Sequence, residues 1–153
     1  MPPAPQVELA LASDSVVLVL GTDGSKEHES MDRLDVQLPP VQSALAVRVL
    51  QALYARRAAG SLSATKGEPK VVLVLINYGE ISTEELLPAA GRANAGHGGV
   101  DALLMAFMPH VGTPIAETLY GVFNPGGKLP YTGLSVPPPS KQAFFTSQYL
   151  QGV

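Results

Sequence analysis

The chain has 153 residues, of which 46% are apolar and 15% charged, and it carries a formal net charge of −3. That length makes one ordinary domain, able to bury about two-thirds of its unfolded surface, and the composition argues against disorder. The absence of cysteine excludes a disulfide framework, thiol catalysis and thiolate metal sites, and with no basic stripe to neutralise phosphates nucleic-acid binding is not expected.

Residues 1–11 are proline-rich and read as an irregular lead; Asp14 interrupts the apolar stretch that follows, so no signal peptide is read. No apolar run approaches the roughly 20 residues that span a bilayer, and no membrane partner is expected. Three apolar runs, at 15–20, 70–76 and 101–107, are nearly continuous, the pattern of parallel strands covered on both faces. Between the first two, Val41, Leu45, Val49 and Leu53 recur every fourth residue, supplemented by Ala46, Val47 and Leu50. This spacing predicts an amphipathic helix from Pro39 and Pro40 to Gly60, with Arg48, Arg56 and Arg57 left for solvent.

A weaker helix is predicted from Thr83, where Glu84 and Glu85 suit its N-terminal dipole, and Gly98 and Gly99 end that region. A third has Thr113 as N-cap, Pro114 at its first position and Ile115, Leu119 and Val122 on one face. Asn124, Pro125, Gly126 and Gly127 have turn chemistry. Residues 133–153 show no periodicity and read as an irregular tail. The β-α-β-α-β-α order implies right-handed crossovers and a mostly parallel sheet, an α/β fold over 12–132.

The connection from Thr22 to Leu38 is 17 residues long, whereas ordinary βα loops run about 2–6. Residues 22–35 hold five acids (Asp23, Glu27, Glu29, Asp32, Asp35) against Lys26 and Arg33, and the rest of the chain is balanced. Loops at the carboxyl ends of parallel strands build the ligand sites of open α/β sheets. In an extended segment Glu27 and Glu29 share one side and His28 faces the other. Mutual repulsion and burial would then push the two pKa values apart and leave one carboxyl protonated as a general acid. A solvated charged loop is the plain alternative. A cation site is a third reading, but the acids do not have EF-hand spacing, and no metal or cofactor is expected. His28 reads as a hydrogen-bonding loop residue rather than a ligand.

The strand at 16–20, the loop Gly21-x-Asp23-x-Ser25-x-Glu27-x-Glu29-x-x-Asp32-Arg33 and then Leu38-Pro39-x-x-Gln42 together resemble the C-terminal α/β sandwich domain of glycoside hydrolase family 3. The likeness is to its β-xylosidase/β-glucosidase branch, with its G-L-D-Q-S-x-E-x-E-x-x-D-R-x-x-x-x-L-P-x-x-Q pattern. Residues 71–77 with Gly79, 102–109 and 115–130 (I-A-E-T-L-Y-G-V-F-N-P-G-G-K-L-P) resemble later segments of that domain, in the same order. Two positions depart from the pattern: Asn77-Tyr78-Gly79 stands where N-G-G is usual, and Pro109-His110-Val111 where P-G-Q or P-G-E is.

The resemblance implies a three-layer, flavodoxin-like sandwich, here missing a strand–helix region on its N-terminal side. It also implies a part in retaining β-glycoside hydrolysis, of β-xylosidase or β-glucosidase type. By it, the acid/base is Glu27, with Glu29 in reserve; Asp23, Ser25 and His28 line the substrate rim; Asp32 and Arg33 pin the loop by an ion pair. The nucleophile belongs to a (β/α)₈ barrel outside this chain, so the chain alone is expected to be inactive. Its substrate would be a β-linked oligosaccharide or glycoside, and its compartment, by resemblance only, extracellular. Two other readings stand beside this one: a non-catalytic flavodoxin-like domain binding sugar or nucleotide, and a truncated product without a stable fold. A nucleotide is disfavoured because there is no G-x-G-x-x-G or Walker pattern and the acids would repel an anion.

Overall fold

The computed structural model describes residues 4–59, 69–87 and 98–128. Its elements run α1 (Pro5–Ala12), β1 (Ser15–Gly21), α2 (Pro40–Ala58), β2 (Lys70–Ile76), β3 (Ala102–Met105) and α3 (Thr113–Leu119). The strands form one parallel sheet in the order β1-β2-β3, with Ser15 opposite Lys70, Gly21 opposite Ile76 and Val72 opposite Ala102. The α/β class and the parallel sheet stand as the sequence implies.

The core lies on one sheet face. Val16, Leu18 and Leu20 of β1 and Val71, Leu73 and Leu75 of β2 point into it, against Val7 and Ala10 of α1 and Ala46, Val49, Leu50 and Leu53 of α2. The buried stripe of α2 is thus 46, 49, 50 and 53, the i, i+3, i+4, i+7 set of a helix face. Val41, expected in the stripe, is 82% exposed, because at helical spacing it lies well off the face set by 46, 49, 50 and 53. Pro39 is the N-cap residue and Pro40 opens the helix; Gly60 lies outside the described residues.

Several expectations are corrected. The lead is not irregular: Pro5 takes the first helical position and Val7 and Ala10 are buried as α1 packs on α2. Arg56 and Arg57 are not left to solvent. Arg56 donates to the Leu11 carbonyl at the end of α1. Arg57 donates to the Pro69 carbonyl at 2.7 Å and pairs with Asp101 at 3.5 Å. Asp101 also accepts the Val71 N–H at 2.8 Å, so it anchors β2 rather than continuing β3. Phe107 leaves the strand with φ +52°.

Coverage of the strands on both faces holds only for the central one. Val74 of β2 is fully buried, while its β1 neighbours Val17 and Val19 are 45% and 56% exposed, because among the described residues β1 pairs on one side only. Thr113 is the first helical residue of α3 rather than its cap, which is Gly112. Ile115 and Leu119 are half-buried and Val122 is exposed. From Thr83 to Leu87 the chain makes a single turn, closed by the Leu86 and Leu87 N–H groups on the Thr83 carbonyl at 2.9 and 3.0 Å; residues 88–97, where a helix is expected, lie outside the described residues. Residues 124–127 form no regular turn, and the tail after 128 is likewise outside.

Candidate active-site loop

The site is built where the three strands end. Gly21 closes β1 with φ +151°, and a Cβ there would stand 1.7 Å from the Ile76 carbonyl oxygen. Only glycine lets the two backbones lie together at that point. Its N–H donates to Gln42 Oε1 at 2.8 Å and its carbonyl accepts from Gln42 Nε2 at 3.0 Å. The next residue, Thr22, is buried and donates its N–H to the Ile76 carbonyl at 2.9 Å. A solvent-open cavity of about 270 Å³ lies beyond, lined by Val19, Gly21, Asp23, Ser25, Lys26 and Gln42 among others.

The loop then reverses. Asp23 Oδ1 accepts the Ser25 N–H at 2.9 Å and the Ser25 hydroxyl at 2.6 Å. The Asp23 carbonyl takes the Lys26 and Glu27 N–H groups at 2.9 and 3.3 Å. These bonds make a tight Asx-type turn, and the Ser25 hydroxyl foremost, then its N–H, hold the Asp23 carboxyl below its ordinary value. His28 Nδ1 lies 3.0 Å from the Gly24 carbonyl, a pairing that needs the proton on Nδ1.

The turn sends the Glu27 side chain back under the loop. Its Oε1 accepts the Thr22 hydroxyl at 2.9 Å and the Gly79 N–H at 3.2 Å, and its Oε2 pairs with Arg33 Nε at 2.8 Å. Arg33 Nη2 continues to the Glu80 carbonyl at 2.6 Å. The Arg33 and Glu27 side chains are only 12% and 14% exposed. Burial by itself would push the Glu27 carboxyl up. The Arg33 hydrogen bond, the Gly79 N–H and the Thr22 hydroxyl outweigh it and hold the group below its ordinary value.

Between Glu27 and Arg33 the chain forms a minimal hairpin. His28 and Met31 exchange backbone hydrogen bonds of 3.0 and 2.9 Å, leaving Glu29 and Ser30 as the two turn residues. Ser30 takes φ +72°, the left-handed region that favours glycine. Glu29 at the tip is exposed and makes no hydrogen bond among the described residues.

The segment is therefore not extended, and Glu27 and Glu29 do not share a side: one carboxyl is tucked in and the other presented outward. Asp23, Ser25 and His28 lie on the same turn. Arg33 does pin the loop by an ion pair, but its partner is Glu27; Asp32 is exposed, since an adjacent carboxylate cannot bend back onto a guanidinium aimed at β2. Thr22, Gly79 and the Glu80 carbonyl were not expected to take part. The sequence signal for them is slight: Thr22 sits between strand and acids, and Gly79 falls in the turn after β2. Gln42 does stand in the Leu38-Pro39-x-x-Gln42 pattern. Asn77, fully buried at the end of β2, donates its N–H to the Phe107 carbonyl at 3.0 Å and its side-chain amide to the Gly79 carbonyl. Tyr78 beside it is half-exposed. Among the described residues no group of three or more His, Asp or Glu side chains could hold a metal ion, and no helix is long and apolar enough to cross a membrane.

The fold is that of a parallel α/β domain with a charged loop at the carboxyl end of its first strand, the position where open α/β sheets commonly build ligand sites. The comparisons make it specific. The family model of the Glycosyl hydrolase family 3 C-terminal domain matches residues 2–148, and the chain belongs to that family. The match extends past 12–132 at both ends.

Among similar proteins, Probable beta-D-xylosidase 7 of Arabidopsis thaliana is 33% identical over 128 residues, 82% of this chain and 14% of that protein. Beta-D-xylosidase 1 of the same plant is 35% identical over 125 residues, 80% of this chain and 13% of that protein. Probable beta-glucosidase I of Emericella nidulans is 31% identical over 128 residues, 82% of this chain and 12% of that protein. The chain thus spans only about an eighth of the length of these relatives. No solved structure matches it.

Proposed function

We propose that this domain supplies the acid/base carboxyl of a retaining β-glycosidase site, with the nucleophile on a (β/α)₈ barrel, and that Glu29 is that carboxyl. The observation that carries the assignment is the contrast between the two glutamates. A general acid must hold a proton near neutral pH. Glu27 accepts three hydrogen bonds, one from a guanidinium, and every one favours its ionised form. Glu29 is exposed at a hairpin tip and unpaired among the described residues, where a partner surface can enclose it. Enclosure would take the carboxyl out of water and bring it within the roughly 5–5.5 Å of the nucleophile that retention requires.

The chemistry is then ordinary. Glu29 gives its proton to the leaving oxygen as the nucleophile attacks the anomeric carbon, and afterwards takes a proton from the water that releases the sugar. Asp23, Ser25 and His28 offer acceptors and donors for sugar hydroxyls at the rim. Glu27, the residue favoured by resemblance, becomes the strut of the loop. The names of the relatives support a β-xyloside or β-glucoside as substrate, and the domain acts on it together with the barrel.

The test is a pair of variants in the barrel-containing protein. Glu29→Gln should lower kcat/KM on a β-linked disaccharide by about 10²–10⁴. On an activated aryl glycoside, azide should restore its turnover and yield the β-glycosyl azide. Azide rescue of Glu27→Gln instead, or full activity of Glu29→Gln on the disaccharide, would overturn the assignment.

A further inference from the structure

We infer that Arg33 is a positioning residue for proton transfer: its guanidinium fixes the base of the 28–31 hairpin and so sets where the tip carboxyl stands. The inference rests on the proposed role of Glu29.

A two-residue hairpin with one pair of backbone bonds is marginal by itself. This one also holds Ser30 at φ +72°, a conformation that persists only where surrounding structure over-determines it. What over-determines it is the bracket around it. Glu27 directly precedes His28, Arg33 follows Met31 by two residues, and the 2.8 Å ion pair joins them into a closed ring. The ring is then fastened to the turn after β2 at two points, the Gly79 N–H on Glu27 at 3.2 Å and Arg33 Nη2 on the Glu80 carbonyl at 2.6 Å.

Arg33 takes part in the ring closure and in one of the two fastenings. Glu27 is its counterpart, closing the ring from the other side and accepting the Gly79 N–H. The planar fork of a guanidinium serves two acceptors in fixed directions, which a lysine ammonium cannot do. The fit is close on the β2 side as well: a Cβ on Gly79 would lie 3.3 Å from Arg33 Nη2 and 3.4 Å from Glu27 Oε2. Gly79→Ala therefore nudges the clasp without removing a charge, a second variant should Arg33→Ala fold poorly.

Two measurements test this. In the chain itself, Arg33→Ala should speed amide exchange at His28 and Met31 at least tenfold while leaving Leu73 and Leu75 in β2 unchanged. In the barrel-containing protein, Arg33→Ala should lower kcat/KM on a β-linked disaccharide by about 10²-fold, the scale set by misplacing a catalytic group. A dinitrophenyl glycoside, whose leaving group needs no proton, should lose far less. Arg33→Lys should share the defect, Gly79→Ala should show a smaller one of the same kind, and added guanidinium should partly restore Arg33→Ala. A merely structural arginine would lower both substrates by one factor. Equal losses, a wild-type Arg33→Lys or unchanged exchange at His28 and Met31 would each overturn the inference. If Glu29→Gln leaves disaccharide hydrolysis intact, the proposed function fails instead, and the exchange measurement still decides whether Arg33 holds the hairpin.

Discussion

Replacing Arg33 by methionine keeps most of the side-chain volume and removes the cation, which isolates the energetic value of the clasp. An exposed ion pair is worth about 0–1 kcal/mol, whereas removing one partner of a buried pair costs about 3–5 kcal/mol. At 12% and 14% exposure the Arg33 and Glu27 side chains stand near the buried end of that range. The stranded carboxylate keeps the Thr22 and Gly79 donors, which softens the loss. Arg33→Met should therefore cost about 2–3 kcal/mol near pH 7, or roughly 5–10 °C in melting temperature for a chain of this size.

Glu27→Gln should cost less by itself, because the amide needs no counter-charge. In the Arg33→Met background the same change should recover about 1 kcal/mol or more, a coupling within the usual range for contacting groups. Urea titrations of the three variants, followed by circular dichroism, complete the cycle. Additivity within about 0.5 kcal/mol would refute the view that the two side chains act as one unit.

Two further outcomes follow from the same geometry. Gly21→Ala should destabilise by about 3–4 kcal/mol, because the 1.7 Å approach to the Ile76 oxygen can be relieved only by parting β1 from β2; a urea midpoint within error of wild type would refute this. Acid should weaken the fold in a defined window. Glu27 and Asp101 both sit below their ordinary values of 4.5 and 3.8, so the folded chain binds fewer protons than the unfolded one. Their contribution is complete well above 4.5 and is lost as pH falls through and below that value. The urea midpoint should fall across that interval, and fall less in Arg33→Met; a midpoint that holds or rises there would contradict the linkage.

The strands and the long helix are legible in the sequence because burial imposes periodicity on them. Where the reading slips, a neighbour decides. β1 is apolar on both faces, but among the described residues it pairs on one side and the helices pack on one face, so Val17 and Val19 are exposed. α1 is hidden behind three prolines and short length, and it forms because α2 offers Val7 and Ala10 a surface. In the loop, the location of the charges is legible and their division of labour is not. Alternation assigns Glu27 and Glu29 to one side only if the backbone is extended, and the Asp23 turn together with the 28–31 hairpin replaces extension with two reversals. The partners that immobilise Glu27 come from residue 33 and from residue 79, the latter 52 positions away, a closure that no local spacing encodes.

Gln42 has a consequence for how this sheet ends. Its amide carries a donor and an acceptor in one plane, as a peptide group does, and it meets both polar groups of Gly21 on the side away from β2. A side chain from α2 thus serves as the last rung of the ladder. A strand-like segment sliding along the border of β1 away from β2 would find that final position already taken. The root of the acidic loop is thereby shielded from strand addition by one glutamine, with no further strand needed.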